Sequence, residues 1–193
     1  MRILIYTDYR TGSRSLGEWL ELETGITYYH ELLNPKHEEF FKGIKLEKMN
    51  ECIVKISTDD KWNYDNSKNF FDKRIVLTRD DSMAQAESVV WANIHNRWHN
   101  NVVNDKWDIS YYEIDDKFLS DNEEKIRSIR ESIVRRNEYF KSLEDCIHVT
   151  YEDLYFNKRG GEKIASYLGF TPKINIVNSQ NKLRGGRYRK RLI

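Results

Sequence analysis

The apolar run Ile3-Leu4-Ile5-Tyr6 leads almost directly into Arg10-Thr11-Gly12-Ser13-Arg14-Ser15-Leu16, and no other feature constrains the fold of this chain as much. The run has the length and composition of a strand. Gly12 permits a tight turn, and Ser15-Leu16-Gly17-Glu18-Trp19-Leu20 opens a helix. A helix entered in this way directs its first amides at an anion. The guest implied is a nucleotide phosphate.

What the loop lacks narrows the choice of nucleotide. Gly12 and Gly17 have the G-x-x-x-x-G spacing of a Walker A loop, but Glu18 and Trp19 follow where an NTPase needs Lys and then Ser or Thr. A carboxylate there repels a triphosphate and gives magnesium no hydroxyl ligand. The positive charge sits instead on Arg10 and Arg14, beside the hydroxyls of Thr11, Ser13 and Ser15. That set suits a smaller anion held by guanidinium forks.

Strand-Arg-Thr-Gly-Ser-x-Ser-Leu near the N-terminus resembles the 5′-phosphosulfate-binding loop of sulfotransferases that use 3′-phosphoadenosine 5′-phosphosulfate (PAPS), especially the bacterial trehalose sulfotransferase-like branch. Lys73-Arg74-Ile75-Val76-Leu77-Thr78-Arg79-Asp80-Asp81, followed by Gln85-Ala86-Glu87-Ser88, is similar to the family's 3′-phosphate segment, in which an Arg ends a strand and a Ser lies on the next helix. Here Arg79 and Ser88 stand one position further apart than in the family pattern. Tyr151-Glu152-Asp153-Leu154 and Ala165-Ser166-Tyr167-Leu168-Gly169-Phe170 resemble the family's later motifs, so the resemblance runs in the family's order to about residue 170.

The resemblance implies a P-loop-NTPase-like sulfotransferase fold, PAPS as donor with PAP as product, and no metal. It implies a donor site of Arg10, Thr11, Gly12, Ser13, Arg14, Ser15, Arg79 and Ser88. Leu183-Arg184-Gly185-Gly186 is similar to the late basic loop that closes over the 3′-phosphate, so Arg184 and Gly185 are expected in the site, with 182–193 as a nucleotide lid. The Gly-Asp-Trp that follows this loop in cytosolic members is absent. The trehalose-type branch uses a glutamate after the second strand as base, and Tyr28-Tyr29-His30-Glu31-Leu32-Leu33-Asn34-Pro35 is similar to that segment. Glu31 is the expected base and His30 the alternative, whose ordinary pKa of about 6.5 suits proton transfer near neutrality better than a carboxylate's roughly 4.3. Arg10 and Arg14 are the expected cations at the bridging and leaving oxygens.

Periodicity predicts strands at 2–8, 26–30, 52–57, 73–79 and 145–150, with helices between them. One helix, 82–100, carries an apolar stripe of Met83, Ala86, Val90, Ile94 and Trp98. Another, 121–143, carries Ile126, Ile129, Ile133, Phe140 and Leu143, with Asp121, Glu123 and Glu124 in its first turn. Alternating elements imply an α/β fold, a central mainly parallel sheet flanked by helices, in a single domain over 1–193. In such sheets ligands sit beyond the carboxyl ends of the strands. Arg10, His30, Glu31, Arg79 and Tyr151 all fall there.

The net charge of +1 leaves no global field to mark a nucleic-acid protein, although Lys182, Arg184, Arg187, Arg189, Lys190 and Arg191 crowd the C-terminus. Cys52 and Cys146 lie in apolar runs and read as buried thiols. His95 and His99 lack a third ligand at metal spacing. The chain starts on a strand and holds no long apolar run, so neither signal peptide nor membrane anchor is expected, and a cytoplasmic enzyme is. The acceptor expected is a hydroxyl of a carbohydrate, lipid or small metabolite, walled by residues in 36–70 and 99–120. Trp62, Tyr64, Trp98 and Trp107 are candidates to stack on a sugar. Two alternatives stay open: a nucleotide or small-molecule kinase, and a non-catalytic nucleotide- or nucleic-acid-binding module. Oligomeric state is not legible.

Overall fold

The computed structural model of the protein describes residues 1–32, 46–58, 64, 69–95, 102–103, 106–107, 114–157 and 159–176. The chain divides into two compact units, Met1–Asp80 with Phe140–Ile193, and Asp81–Tyr139.

The first unit is built on five parallel strands: β1 (Arg2–Thr7), β2 (Tyr28–Tyr29), β3 (Cys52–Ser57), β4 (Lys73–Thr78) and β7 (Ile147–Thr150), in the order β2-β3-β1-β4-β7. Their register aligns the carboxyl ends, with Thr7 beside Ser57, and Thr78 beside Thr150. Because β1 pairs with β3 on one side and β4 on the other, the loop after β1 opens where the chain order reverses. That is where open α/β sheets bind ligands.

Strand alternation sorts the core into two layers. Ile3, Ile5, Ile53, Ile75, Leu77 and Val149 face helix α1 (Ser13–Thr24), through Leu16, Trp19 and Leu20, together with Leu154, Ile164 and Leu168 of helices α5 (Tyr151–Tyr155) and α6 (Arg159–Leu168). On the other face Leu4, Tyr6, Val54, Ile56 and Val76 pack with Leu46, Tyr64, Phe71 and Phe140. Burial on both faces is why these strands read as continuous apolar runs. Tyr64 is fully buried and its hydroxyl donates to the carbonyl of Glu144, so it packs the core and is no sugar platform. Thr150 caps α5 by accepting from the amide of Asp153 at 3.1 Å. Gly169, at φ 83°, closes α6 with its amide 2.8 Å from the carbonyl of Ala165.

The second unit contains α2 (Ser82–His95), the antiparallel pair β5 (Val102–Val103) and β6 (Lys106–Trp107), α3 (Asp116–Asp121) and α4 (Glu123–Lys141), the last of which runs on into the first unit. Ala86 and Val90 pack with Ile126 and Ile133, supported by Phe118, Leu119 and Ile129. The helix expected over 121–143 is α4, two residues shorter at each end, and the short α3 before it was not read from the sequence. Asp115 caps α3 by accepting from the amide of Phe118, and the chain leaves the helical region at Asn122, φ −123°, so Asp121 ends α3 and only Glu123 and Glu124 open α4. In α2 the ends Met83 and Ile94 are exposed, and Val89, Trp91 and Ala92 join the buried residues, so the buried face is broader than a single stripe. The expected continuation of α2 over 96–100 lies outside the described residues, as do Trp62 and Trp98.

Candidate functional site

The loop after β1 is built from the inside by hydroxyls. Thr7 and Thr11, both fully buried, share a hydrogen bond at 2.6 Å, Thr7 Oγ1 donates to the carbonyl of Leu77, and Thr11 Oγ1 reaches the carbonyl of Asp8 at 3.1 Å. The Thr11 side chain thus braces the turn, and Thr7 ties it to β4. Two residues of the loop are left-handed, Arg10 at φ 60° and Gly12 at φ 80°. The second requires glycine on steric grounds as well, because a Cβ would stand 2.7 Å from Tyr155 and 3.0 Å from Tyr151. α1 then begins at Ser13 with no side-chain cap and no acid in its first turn. Ser13 and Ser15 are buried.

The carboxyl end of β7 supplies an aromatic floor that the sequence motifs did not reveal. Tyr151 and Tyr155, one helical turn apart on α5, lie with ring centroids 4.6 Å apart, and the Tyr155 hydroxyl donates to the carbonyl of Gly12 at 2.9 Å. Arg79, just past β4, lays its guanidinium 4.7 Å from the centroid of Tyr151 and donates from Nη1 to the carbonyl of Arg10 at 3.4 Å. This ties two of the expected cationic residues, Arg79 through its side chain and Arg10 through its backbone, at the carboxyl end of the sheet. Glu152 accepts from the amide of Asp80 at 3.0 Å, holding the turn that carries Arg79.

Arg14 lies on the outer side of α1, partly exposed, with Nε 2.8 Å from Oε1 of Glu18. The residue that departs from the NTPase pattern is therefore the partner of Arg14. Gly17 also has a role that the loop spacing hid: a Cβ there would lie 2.3 Å from the ring of Tyr28. Gly17→Ala should cost about 1–3 kcal/mol by forcing that ring away, which thermal denaturation would register as a lower Tm.

At the end of β2 the backbone turns through Glu31, left-handed at φ 54°. Glu31 is buried, and its Oε1 takes a close ion pair from Nζ of Lys55, which is itself buried on β3. His30 Nε2 stands 3.7 Å from the same oxygen. Lys55 was not singled out from sequence, although a lone cation inside Ile53-Val54-Lys55-Ile56 was the available signal. The arrangement holds a buried carboxylate in a fixed place past the end of β2.

Of the other expected residues, Ser88 is buried on α2 in the second unit, and Arg184 and Gly185 lie outside the described residues, with the rest of the basic C-terminal segment. Cys52 is buried and a free thiol, pushed up by burial to about 11. Cys146 is a free thiol too, only partly buried, and likewise raised by burial. Among the described residues no group of three or more His, Cys, Asp or Glu is arranged to hold a metal ion. No helix among them is long and apolar enough to cross a membrane.

No family model matches the chain. No curated protein matches it either. Among solved structures it is similar to the crystal structure of mouse sulfotransferase SULT7A1 complexed with PAP, with a TM-score of 0.52 and 14% sequence identity over 95% of this chain. The chain spans 64% of the length of that protein. The five-stranded parallel sheet with its flanking helices is thus the fold of a sulfotransferase.

Proposed function

We propose that this protein is a sulfotransferase that moves the sulfuryl group of PAPS to a hydroxyl of a carbohydrate, lipid or small metabolite, within a single functional domain. The observation that carries this reading is Arg79 laid on Tyr151 and bonded to the carbonyl of Arg10. It couples the expected 3′-phosphate arginine to the expected 5′-phosphosulfate loop, in a fold whose solved neighbour was crystallised with PAP. In this reading the amides and hydroxyls of Gly12, Ser13 and Ser15 hold the 5′ end, with Thr11 keeping the loop in shape. Arg79 meets the 3′-phosphate. Ser88, Arg184 and Gly185 enter on the sequence resemblance.

The chemistry assigned to the protein's own groups is small. Glu31 takes the proton of the acceptor hydroxyl as the new sulfur–oxygen bond forms, with Lys55 and His30 fixing its carboxylate. Arg10 and the first amides of α1 counter the charge that grows on the departing phosphate oxygen as the old sulfur–oxygen bond breaks. No group in this scheme needs a metal.

Calorimetric titration with PAP, AMP and ATP plus magnesium tests the reading. PAP should bind well above AMP, and Arg79→Ala should weaken PAP by about 10- to 100-fold, the range for a hydrogen bond to a charged group. Equal binding of PAP and AMP would overturn the reading, and magnesium-dependent ATP binding would point to a kinase.

A further inference from the structure

Gly17 and Tyr28 lie outside the expected donor site, and the Tyr28 ring fills the space that a Cβ at Gly17 would take. The Tyr28 ring rests on the bare backbone of α1 at Gly17, and its amide donates to Oε1 of Glu21 at 3.1 Å. Held from both ends, the phenol oxygen stands 2.8 Å from Nδ1 of His30, while the other ring nitrogen, Nε2, faces Oε1 of Glu31 at 3.7 Å.

Donor and acceptor rules then fix the protons. A carboxylate only accepts, so the nitrogen turned to Glu31 carries hydrogen, Nδ1 offers its lone pair, and the phenol donates. Lys55 already gives Glu31 a cation, so an imidazolium would set a second positive charge across the same carboxylate. The neutral imidazole accepts from the phenol at Nδ1 and turns Nε2–H toward the carboxylate, at 3.7 Å a charge–dipole contact longer than a hydrogen bond. We propose that Tyr28 is a positioning residue that fixes His30 as the Nε2–H tautomer, so that His30 and Lys55 together orient the Glu31 carboxylate and His30 is not the base.

The role in turnover rests on the sulfotransferase reading above, whereas the tautomer does not. The charged and titratable groups around the phenol are Glu18, Arg14, Glu31 and Tyr155. Burial, followed by the Glu18 carboxylate, raises the phenol well above the ordinary tyrosine value, which keeps its proton available to His30 across the neutral range.

Long-range proton–nitrogen NMR on the full chain labelled with ¹⁵N-histidine reads the tautomer directly, with His30→Gln assigning the signals. At neutral pH, Nε2 should be protonated and Nδ1 bare. Tyr28→Phe keeps the ring on Gly17 but removes the donor; it should turn His30 into a mixture of tautomers. It should also lower kcat for PAPS turnover with a sugar or phenol acceptor about tenfold at unchanged KM for PAPS, the factor carried by one oriented hydrogen bond. A wild-type His30 that is Nδ1–H or doubly protonated overturns the proposal, as does a Tyr28→Phe variant with unaltered tautomer or unaltered kcat. PAP titration of the same samples keeps the two readings apart, since absent PAP binding removes the sulfotransferase reading and leaves the tautomer result standing.

Discussion

Glu31→Gln should lower sulfuryl transfer from radiolabelled PAPS to a panel of sugar, phenol and lipid hydroxyls by about 10²- to 10⁴-fold, the contribution of a positioned general base. Glutamine has nearly the same shape and can still accept from Lys55, so the loss falls on proton transfer. PAP affinity, measured by calorimetry, should stay within about twofold, because the donor loop and Arg79 belong to other strand ends. Undiminished turnover in Glu31→Gln would remove the residue from the reaction and reopen the choice of base.

Lys55→Met should destabilise the protein by about 3–5 kcal/mol, because it leaves the buried Glu31 carboxylate without its cation. For a chain of this length that is a Tm lower by roughly 10 °C. The double variant Lys55→Met/Glu31→Gln should regain most of the loss, since glutamine brings no charge to be buried, and the two substitutions are in direct contact. Denaturant unfolding of the two single variants and the double closes the cycle. A single variant costing less than about 1 kcal/mol, or strictly additive costs, would show that the pair is not the buried, mutually dependent contact described above.

Much of the scaffold was legible because its signals are local. β3 falls on the 52–57 read from the apolar run, β1 and β4 each end one residue before the expected boundary, and Gly12, Thr150 and Gly169 take the turn and cap positions that their chemistry favours. Short helices were harder. The long α4 showed its apolar repeat and was read to within two residues at each end, whereas the six residues of α3 are too few to show a helical period.

The candidate site was legible as a set of strand-end residues, and only tertiary structure decided how they pair. Sequence alone determined that an α/β chain would carry a strand, a tight turn at Gly12 and a helix opening shortly after it, and that Arg10, Glu31 and Arg79 would follow strands. It had no means of matching Glu31 to Lys55, 24 positions away, or the carbonyl of Arg10 to Arg79, 69 positions away, because the first meeting depends on β2 lying against β3 and the second on β4 lying against β1. Gly17 makes the same point: its spacing resembled a phosphate loop, while the ring of Tyr28 across the turn decided why no side chain fits there. Local pattern follows from the bonds and rotations of neighbouring residues, whereas site chemistry follows from which strands the folded sheet sets side by side.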